Sequence, residues 1–193
     1  MRSHYRFRLF RLLIMITMCV CMVSTHSIHA ESGISREYKM KAAFIYKFTK
    51  FIEWTPESFS DDKDPLVLTI LGKDPFGKAI DPLHGKTVRG RKLIVRRISG
   101  MKDVDKSHIL FIAQSEKERL PELLQTIRDS CVLTIGDMKG FADQGGIMNF
   151  IMIENTIGFE INVDAAQDAG LEISSNLLNL AKIVGSESRR GKN

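Results

Sequence analysis

The 193-residue chain is poor in the residue types that build catalytic and metal centres. Of its five histidines only His84 and His108 follow residue 30, and no cysteine stands close to either in sequence, so zinc-ligand spacing is absent. The chain also lacks a G-x-S-x-G nucleophile elbow. Its carboxylates cluster in polar turns such as "SDDKD", where hydration at the surface is enough to explain why charged residues occur. These absences predict no catalytic residues, no metal and no cofactor, and a protein that is not an enzyme.

The glycine-rich stretch at residues 133–150, "LTIGDMKGFADQGGIMNF", lacks the features of a phosphate-binding loop. Such a loop leads from a strand into a helix, whose free N–H groups hold the anion. Here "IMNFIMI" follows the glycines, and its β-branched and aromatic residues predict a second strand. The spacing does not fit G-x-G-x-x-G, and no Gly-Lys-Ser/Thr follows. We therefore interpret the glycines as turn residues with positive φ.

No apolar run reaches the ~20 residues that a membrane-spanning helix needs. An apolar run of about a dozen residues, "LLIMITMCVCMV", follows four arginines and precedes "SIHA". This order is typical of a secretory signal peptide, and we predict one over residues 1–30, cleaved after Ala30. Ser27 is an alternative cleavage point, and an uncleaved anchor is a second alternative.

Removal of residues 1–30 changes the charge of the chain. The segment holds four of the 28 Lys and Arg and none of the 23 Asp and Glu, so 24 basic residues remain against 23 acidic ones, a net charge of +1. A nucleic-acid partner needs a basic face to neutralise phosphates, and we expect none. Residues 185–193, "GSESRRGKN", are predicted to form a flexible basic tail.

One cysteine, Cys131, remains after residue 30. It has no partner for an internal disulfide. Because it heads the apolar run "CVLTI", we expect a buried, inert thiol. An intermolecular bridge is the alternative, and redox control is left open.

Strand patterns alternate with helix patterns over residues 31–184, which we predict to form a single α/β domain. Its central sheet is expected to be mixed and mostly parallel, with helices on both faces and a C-terminal antiparallel hairpin formed by "GIMNFIMIENTIGFEIN". The first helix carries an apolar stripe rich in phenylalanine that is expected to seal the core. Further helices are predicted from a capping box at Ser115 and Glu118, from a cap at Asp164, and from the leucines between Leu177 and Ile183.

Several stretches, in this order, resemble the YfiR family of secreted bacterial proteins over about residues 41–184. They are "KAAFIYKFTKFIEWT", "LTILGKDPFGKAID", "GRKLIVRRIS", "SHILFI", "LTIGDMKGFADQGGIMNF" and "GFEINVDAAQDAGLEISSNLLNLAKIV". No single motif is diagnostic, but the ordered set is specific.

The resemblance implies a periplasmic α/β protein that acts through protein contacts. It implies binding to the periplasmic domain of an inner-membrane diguanylate cyclase, which is held inactive, so that cyclic di-GMP and biofilm formation fall. An OmpA-like outer-membrane lipoprotein would relieve that repression, and some relatives resemble input domains of histidine kinases. The family also implies a homodimer. Ser107 stands where many relatives have cysteine, so disulfide switching is not expected here.

Five residues are the candidates for partner binding: Trp54, Phe76, Phe141, Glu160 and Asn162. The aromatic ones could anchor a small apolar patch, and the polar ones could form its rim. A second hypothesis is a small-molecule-binding protein or sensor input domain, with a crevice between the loops "GKDPFGK" and "GDMKGFADQGG" at the carboxyl ends of parallel strands. A hydrolase is the third, although no sequence feature singles out its carboxylate.

Overall fold

The computed structural model describes residues 27–185. The predicted signal peptide falls mainly on residues 1–26 and the predicted tail mainly on residues 186–193, so both predictions lie largely outside the described residues. The chain divides after Glu37 into two units, and the second unit, residues 38–193, holds the sheet and the sites considered below.

The described residues form short helices and strands joined by 3-10 turns. The helices are α1 (Ser27–Phe48), α2 (Leu120–Thr126), α3 (Val163–Asp168) and α4 (Ser175–Leu178). The strands are β1 (Ile52–Glu53), β2 (Leu66–Leu71), β3 (Thr87–Val88), β4 (Arg91–Ile98), β5 (Ile109–Ile112), β6 (Leu133–Gly136), β7 (Met148–Ile153), β8 (Thr156–Asn162), β9 (Glu172–Ile173) and β10 (Lys182–Val184).

The main sheet has eight strands in the order β10-β8-β7-β6-β5-β2-β4-β3. The β7–β8 and β3–β4 pairs are antiparallel, and the other neighbours run parallel. Strands β1 and β9 form a separate antiparallel pair. These pairings confirm the predicted mixed, mostly parallel sheet and its C-terminal hairpin.

Two hydrophobic cores lie on opposite faces of the sheet. Alternate residues of β5 divide between them, with Ile109 and Phe111 in the first core and Leu110 and Ile112 in the second. The first core is packed by α1, α3 and α4, and the second by α2. Helices therefore cover both faces, as the sequence predicted.

Helix α1 seals the first core through the aromatic stripe that its sequence shows. Phe48 is 2 % exposed, and its ring centroid lies 4.7 Å from that of Phe159 on β8 and 5.9 Å from that of Phe150 on β7. Phe44 joins the same cluster. Burial of such side chains stabilises the fold by roughly 1.5–3 kcal/mol each.

Three of the predicted helix boundaries were wrong. Residues Gln114–Arg119 form a 3-10 helix, and Ser115 Oγ accepts the N–H of Lys73 from a neighbouring loop, so no capping box forms. The α-helix starts at Leu120 because Pro121 favours the first turn.

The other two boundaries lie near the C-terminus. The cap of α3 is Asn162, whose side chain accepts the N–H of Ala165 at 3.0 Å, and not Asp164. Helix α4 stops at Leu178, and Ile183 lies in β10, where it gains backbone hydrogen bonds beside β8.

The loop between β6 and β7 (residues 137–147, here called the glycine loop) folds around Phe141. The Phe141 side chain is fully buried. A Cβ at Gly136 would lie 2.5 Å from Phe141 Cδ2, and one at Gly146 would clash with the opposite edge of the ring. Gly140 and Gly145 have φ of 77° and 102°. The positive-φ interpretation therefore holds for these two, whereas Gly136 and Gly146 are glycines because the ring needs the space.

Gly136→Ala should lower the free energy of unfolding by about 1–3 kcal/mol, because the added methyl group displaces a buried ring. Gly100→Ala is the matched control, since a Cβ there meets nothing within 4 Å. Urea denaturation measures both. In a Phe141→Leu background the Gly136→Ala penalty should shrink, and an unchanged penalty would show that the ring is not its cause.

Candidate functional site

The glycine loop brings together three of the five predicted partner-binding residues. Phe141 lies inside the loop, Asn162 of β8 donates to the loop directly, and Glu160 of β8 is linked to it through Asn149 of β7. Phe76 and Trp54 lie elsewhere, each in its own cluster. Phe76, Phe141 and Glu160 are at most 5 % exposed. The structure thus gives these three a place inside the fold, and contact with a partner stays a prediction for all five.

A row of polar side chains ties the β7–β8 hairpin to the glycine loop. Asn149 Nδ2 donates to Glu160 Oε1 at 3.0 Å, and Asn149 Oδ1 accepts the N–H of Met138 at 3.2 Å. Lys182 of β10 pairs with the other Glu160 oxygen at 3.2 Å. A buried carboxylate needs such partners, because an unpaired one would lose its hydration without compensation.

Asn162 fixes the other side of the same loop. Its Nδ2 donates to the carbonyl of Ala142 at 2.8 Å while its Oδ1 caps α3. One amide thus connects β8, the glycine loop and α3, and each of its polar atoms has a partner.

The outer part of the hairpin, residues 151–158, projects beyond the rest of the sheet; we refer to it as the hairpin arm. Strand β6 pairs with β7 only at Met148 and Asn149, and β10 pairs with β8 only at residues 160–162. Within the arm, Met152 is 59 % exposed and Ile153 is 47 % exposed. Among the described residues the arm therefore combines open strand edges with apolar side chains in water, a pattern associated with binding.

A buried ion pair fixes α1 near the other end of the glycine loop. Lys41 Nζ lies 3.1 Å from Asp137 Oδ2, and both side chains are at most 6 % exposed. Tyr38 donates its hydroxyl to the same carboxylate at 2.5 Å, and its ring meets Phe76 edge-on with centroids 5.1 Å apart. Tyr38 thus contacts both loops that were expected to form a ligand crevice, and α1 covers that place.

Trp54 belongs to a cluster around His108. Its Nε1 donates to the carbonyl of His108 at 3.1 Å, and Phe59 stacks on the imidazole with centroids 4.5 Å apart. His108 Nδ1 accepts the N–H of Val67, so Nε2 carries the proton and donates to Ser58 O. Burial lowers the pKa of His108, with a smaller contribution from nearby Arg91. His108 is thus a structural histidine, with both ring nitrogens hydrogen-bonded.

The sequence profile of the YfiR/HmsC-like family matches residues 38–182, which include α1 from Tyr38, the whole glycine loop and the hairpin arm. The chain belongs to the YfiR/HmsC-like family. A search of curated proteins found no match.

Two solved structures are similar to this YfiR/HmsC-like protein, and the one with the higher TM-score supports the fold alone. A conserved domain protein from Vibrio cholerae O1 biovar El Tor has a TM-score of 0.53 at 11 % identity, over 77 % of this chain and 60 % of its own. The ABC domain from Streptococcus pneumonia, solved in complex with L-Trp, has a TM-score of 0.46 at 10 % identity, over 68 % of this chain and 57 % of its own. The chain thus spans less than two thirds of either structure.

Membership of the YfiR/HmsC-like family supports a regulatory role in general. In general the family comprises periplasmic, non-catalytic proteins that interact with a membrane signalling protein, and it is known for regulators of diguanylate cyclases. Within residues 27–185 no helix is long and apolar enough to cross a membrane. In the same part of the chain, no three His, Cys, Asp or Glu side chains are grouped as metal ligands would be.

Sequence reasoning missed Lys41, Asp137 and Asn149 as members of these clusters. Lys41 carried a usable signal, since it lies three residues after Tyr38 and four before Ile45 on the buried face of α1. Asp137 follows a buried strand directly, at the carboxyl edge of the sheet. Asn149 had no such signal, because a lone amide in an apolar strand does not reveal its partner.

The lowered pKa of His108 predicts a specific dependence of stability on pH. Because the unfolded chain binds this proton more readily, the contribution of His108 is fully present above pH about 6.5 and is lost as the pH falls below that value. His108→Gln should therefore reduce the loss of unfolding free energy between pH 7.5 and pH 5.5, measured by urea denaturation. His84→Gln is the control and should keep the wild-type loss. If His108→Gln lost as much unfolding free energy between pH 7.5 and pH 5.5 as the wild-type protein, the pH dependence would not come from His108.

Proposed function

We propose that this protein is a non-enzymatic periplasmic regulator that binds the periplasmic domain of an inner-membrane diguanylate cyclase and represses it. Cyclic di-GMP, and with it biofilm formation, would fall as a result. The observation that carries the proposal is the match to the YfiR/HmsC-like family over residues 38–182. A histidine kinase is the alternative membrane target, and an OmpA-like outer-membrane lipoprotein would relieve repression by binding the regulator.

Repression requires differential binding. A regulator shifts a cyclase between two states only by the difference between its affinities for them. A change from 1:99 to 99:1 needs about 5.5 kcal/mol of that difference. Burial of a few exposed apolar side chains in a pocket of one state is of this order, at roughly 1.5–3 kcal/mol each.

The hairpin arm is the surface we assign to this contact. Its exposed Met152 and Ile153 supply apolar area, and its open edges supply backbone hydrogen bonds to an added strand. The polar row at its base, from Asn149 to Lys182, holds the arm in a defined direction. A fixed arm loses less conformational freedom on binding than a mobile one.

Met152→Glu should weaken capture of the cyclase by at least 10-fold and raise cyclic di-GMP in the cell. The target is the cyclase whose output rises when the gene for this protein is deleted. Met40→Glu is the matched control, because Met40 is the same residue type, 45 % exposed, and lies on α1. Loss of capture in Met40→Glu with normal capture in Met152→Glu would place the contact on α1 and refute the arm.

Export is the second part of the proposal. Residues 1–30 would direct the chain to the periplasm and be removed after Ala30, so N-terminal sequencing of the periplasmic protein should begin at Glu31. A chain that retained residues 1–30 would instead be anchored by its apolar segment, and sequencing would then begin at Met1.

A further inference from the structure

A cavity of about 300 Å³ opens beside the first residues of β2 and β4. Its apolar wall consists of Trp54, Pro56, Phe59, Leu66 and Val88. The volume lies at the lower end of the range of ligand sites, and a mostly apolar wall with a few polar groups is their usual composition. The cavity is therefore of a size and character that suit a compact organic molecule.

Arg91 gives this cavity a fixed positive charge. Its guanidinium lies 3.6 Å from the centroid of the Phe59 ring, and its Nη1 donates to the carbonyls of Asp61 and Asp64 at 2.8 and 2.9 Å. Stacking and two hydrogen bonds hold the group in place. Within the described residues, the hydrogen bonds of this guanidinium use Nη1 alone, and the Asp64 carboxylate feels its charge without forming an ion pair with it within 4 Å. An immobilised guanidinium with free donors is suited to bind a carboxylate.

The other charged groups of the cavity narrow the choice of ligand. Arg89 is already neutralised, since its Nη2 pairs with Glu53 Oε1 at 2.5 Å on the surface. Asp62 is exposed and also lines the cavity, and it would repel a second negative charge. Among the described residues, Arg91 is thus the one positive charge of the cavity without an ion-pair partner, and because the Asp62 and Asp64 carboxylates lie near it, the cavity favours a ligand with no more than a single negative charge.

We propose that this cavity binds a small aromatic monocarboxylate. The carboxylate would accept hydrogen bonds from Arg91, and the ring would lie against Trp54, Phe59 and Val88. The site uses none of the residues of the hairpin arm, so it stands independently of the proposed repression of a cyclase. Its occupancy would give the protein a small-molecule input separate from its docking surface.

Trp54 is the only tryptophan of the chain and lines the cavity, so its fluorescence reports binding directly. We expect saturable quenching by 3-phenylpropionate. The uncharged 3-phenylpropanol and the cationic 3-phenylpropylamine should bind at least 10-fold more weakly to the wild-type protein. Equal binding of the acid and the alcohol would overturn the proposal without any variant.

Two arginine variants test the assignment further. Arg91→Gln should weaken binding of 3-phenylpropionate at least 10-fold, and Arg89→Gln should change it less than 3-fold because Glu53 already neutralises that side chain. Circular dichroism checks that both variants fold. If Arg91→Gln is unfolded, the comparison of the three ligands on the wild-type protein decides. A folded Arg91→Gln with wild-type affinity would refute the role of Arg91, and so would a loss of binding confined to Arg89→Gln.

Discussion

The position of the hairpin arm depends on one buried ring. Phe141 fills the space between Gly136 at the end of β6 and Gly146 just before β7, so the ring fixes how the two ends of the glycine loop approach each other. That closure sets the register in which Ile135 lies beside Met148. Because a slip of one residue would turn every side chain of β7 to the other face, the placement of Asn149, Glu160 and the whole hairpin follows from this packing.

Buried polar contacts also hold the strands and α1 in their positions around the Phe141 ring. Asn149, Glu160 and Lys182 connect three neighbouring strands, and Lys41 with Tyr38 connects α1 to Asp137. Buried ion pairs are not in general strong sources of stability, since desolvation offsets much of the attraction. Their value here is directional, because each carboxylate accepts hydrogen bonds from side chains on other helices or strands. Both networks hold elements that flank the proposed contact surface.

The strands and the faces of the sheet could be predicted from the sequence, because buried strands such as "LVLTIL" and "ILFI" are runs of apolar residues and because the hairpin is bounded by clear turn residues. Helix ends were predicted less well. Ser115 and Asp164 are residue types that often cap helices. Ser115 Oγ, however, accepts the backbone N–H of Lys73, and at α3 the side chain of Asn162, not that of Asp164, accepts the N–H of Ala165.

The candidate site was harder to predict for a related reason. Phe76 and Phe141 are aromatic residues of the kind that anchor binding surfaces, but both are buried. Phe76 packs against Tyr38 and Phe111, which are distant in sequence. Phe141 fits between the two glycines that flank it in the loop. The side chains now assigned to contact, Met152 and Ile153, stand in a strand pattern identical in kind to the buried ones. Only the short pairing of β6 and β10 leaves them uncovered.

The turn at Glu154 and Asn155, both with positive φ, bears on how copies of the chain can associate. Such a two-residue turn matches the twist of its strands and opens only at the expense of the whole hairpin. Exchange of β8 between two molecules, in which the turn would straighten into a continuous strand, is therefore disfavoured. Any dimer formed through this region should be a contact between two closed hairpins, reversible by dilution.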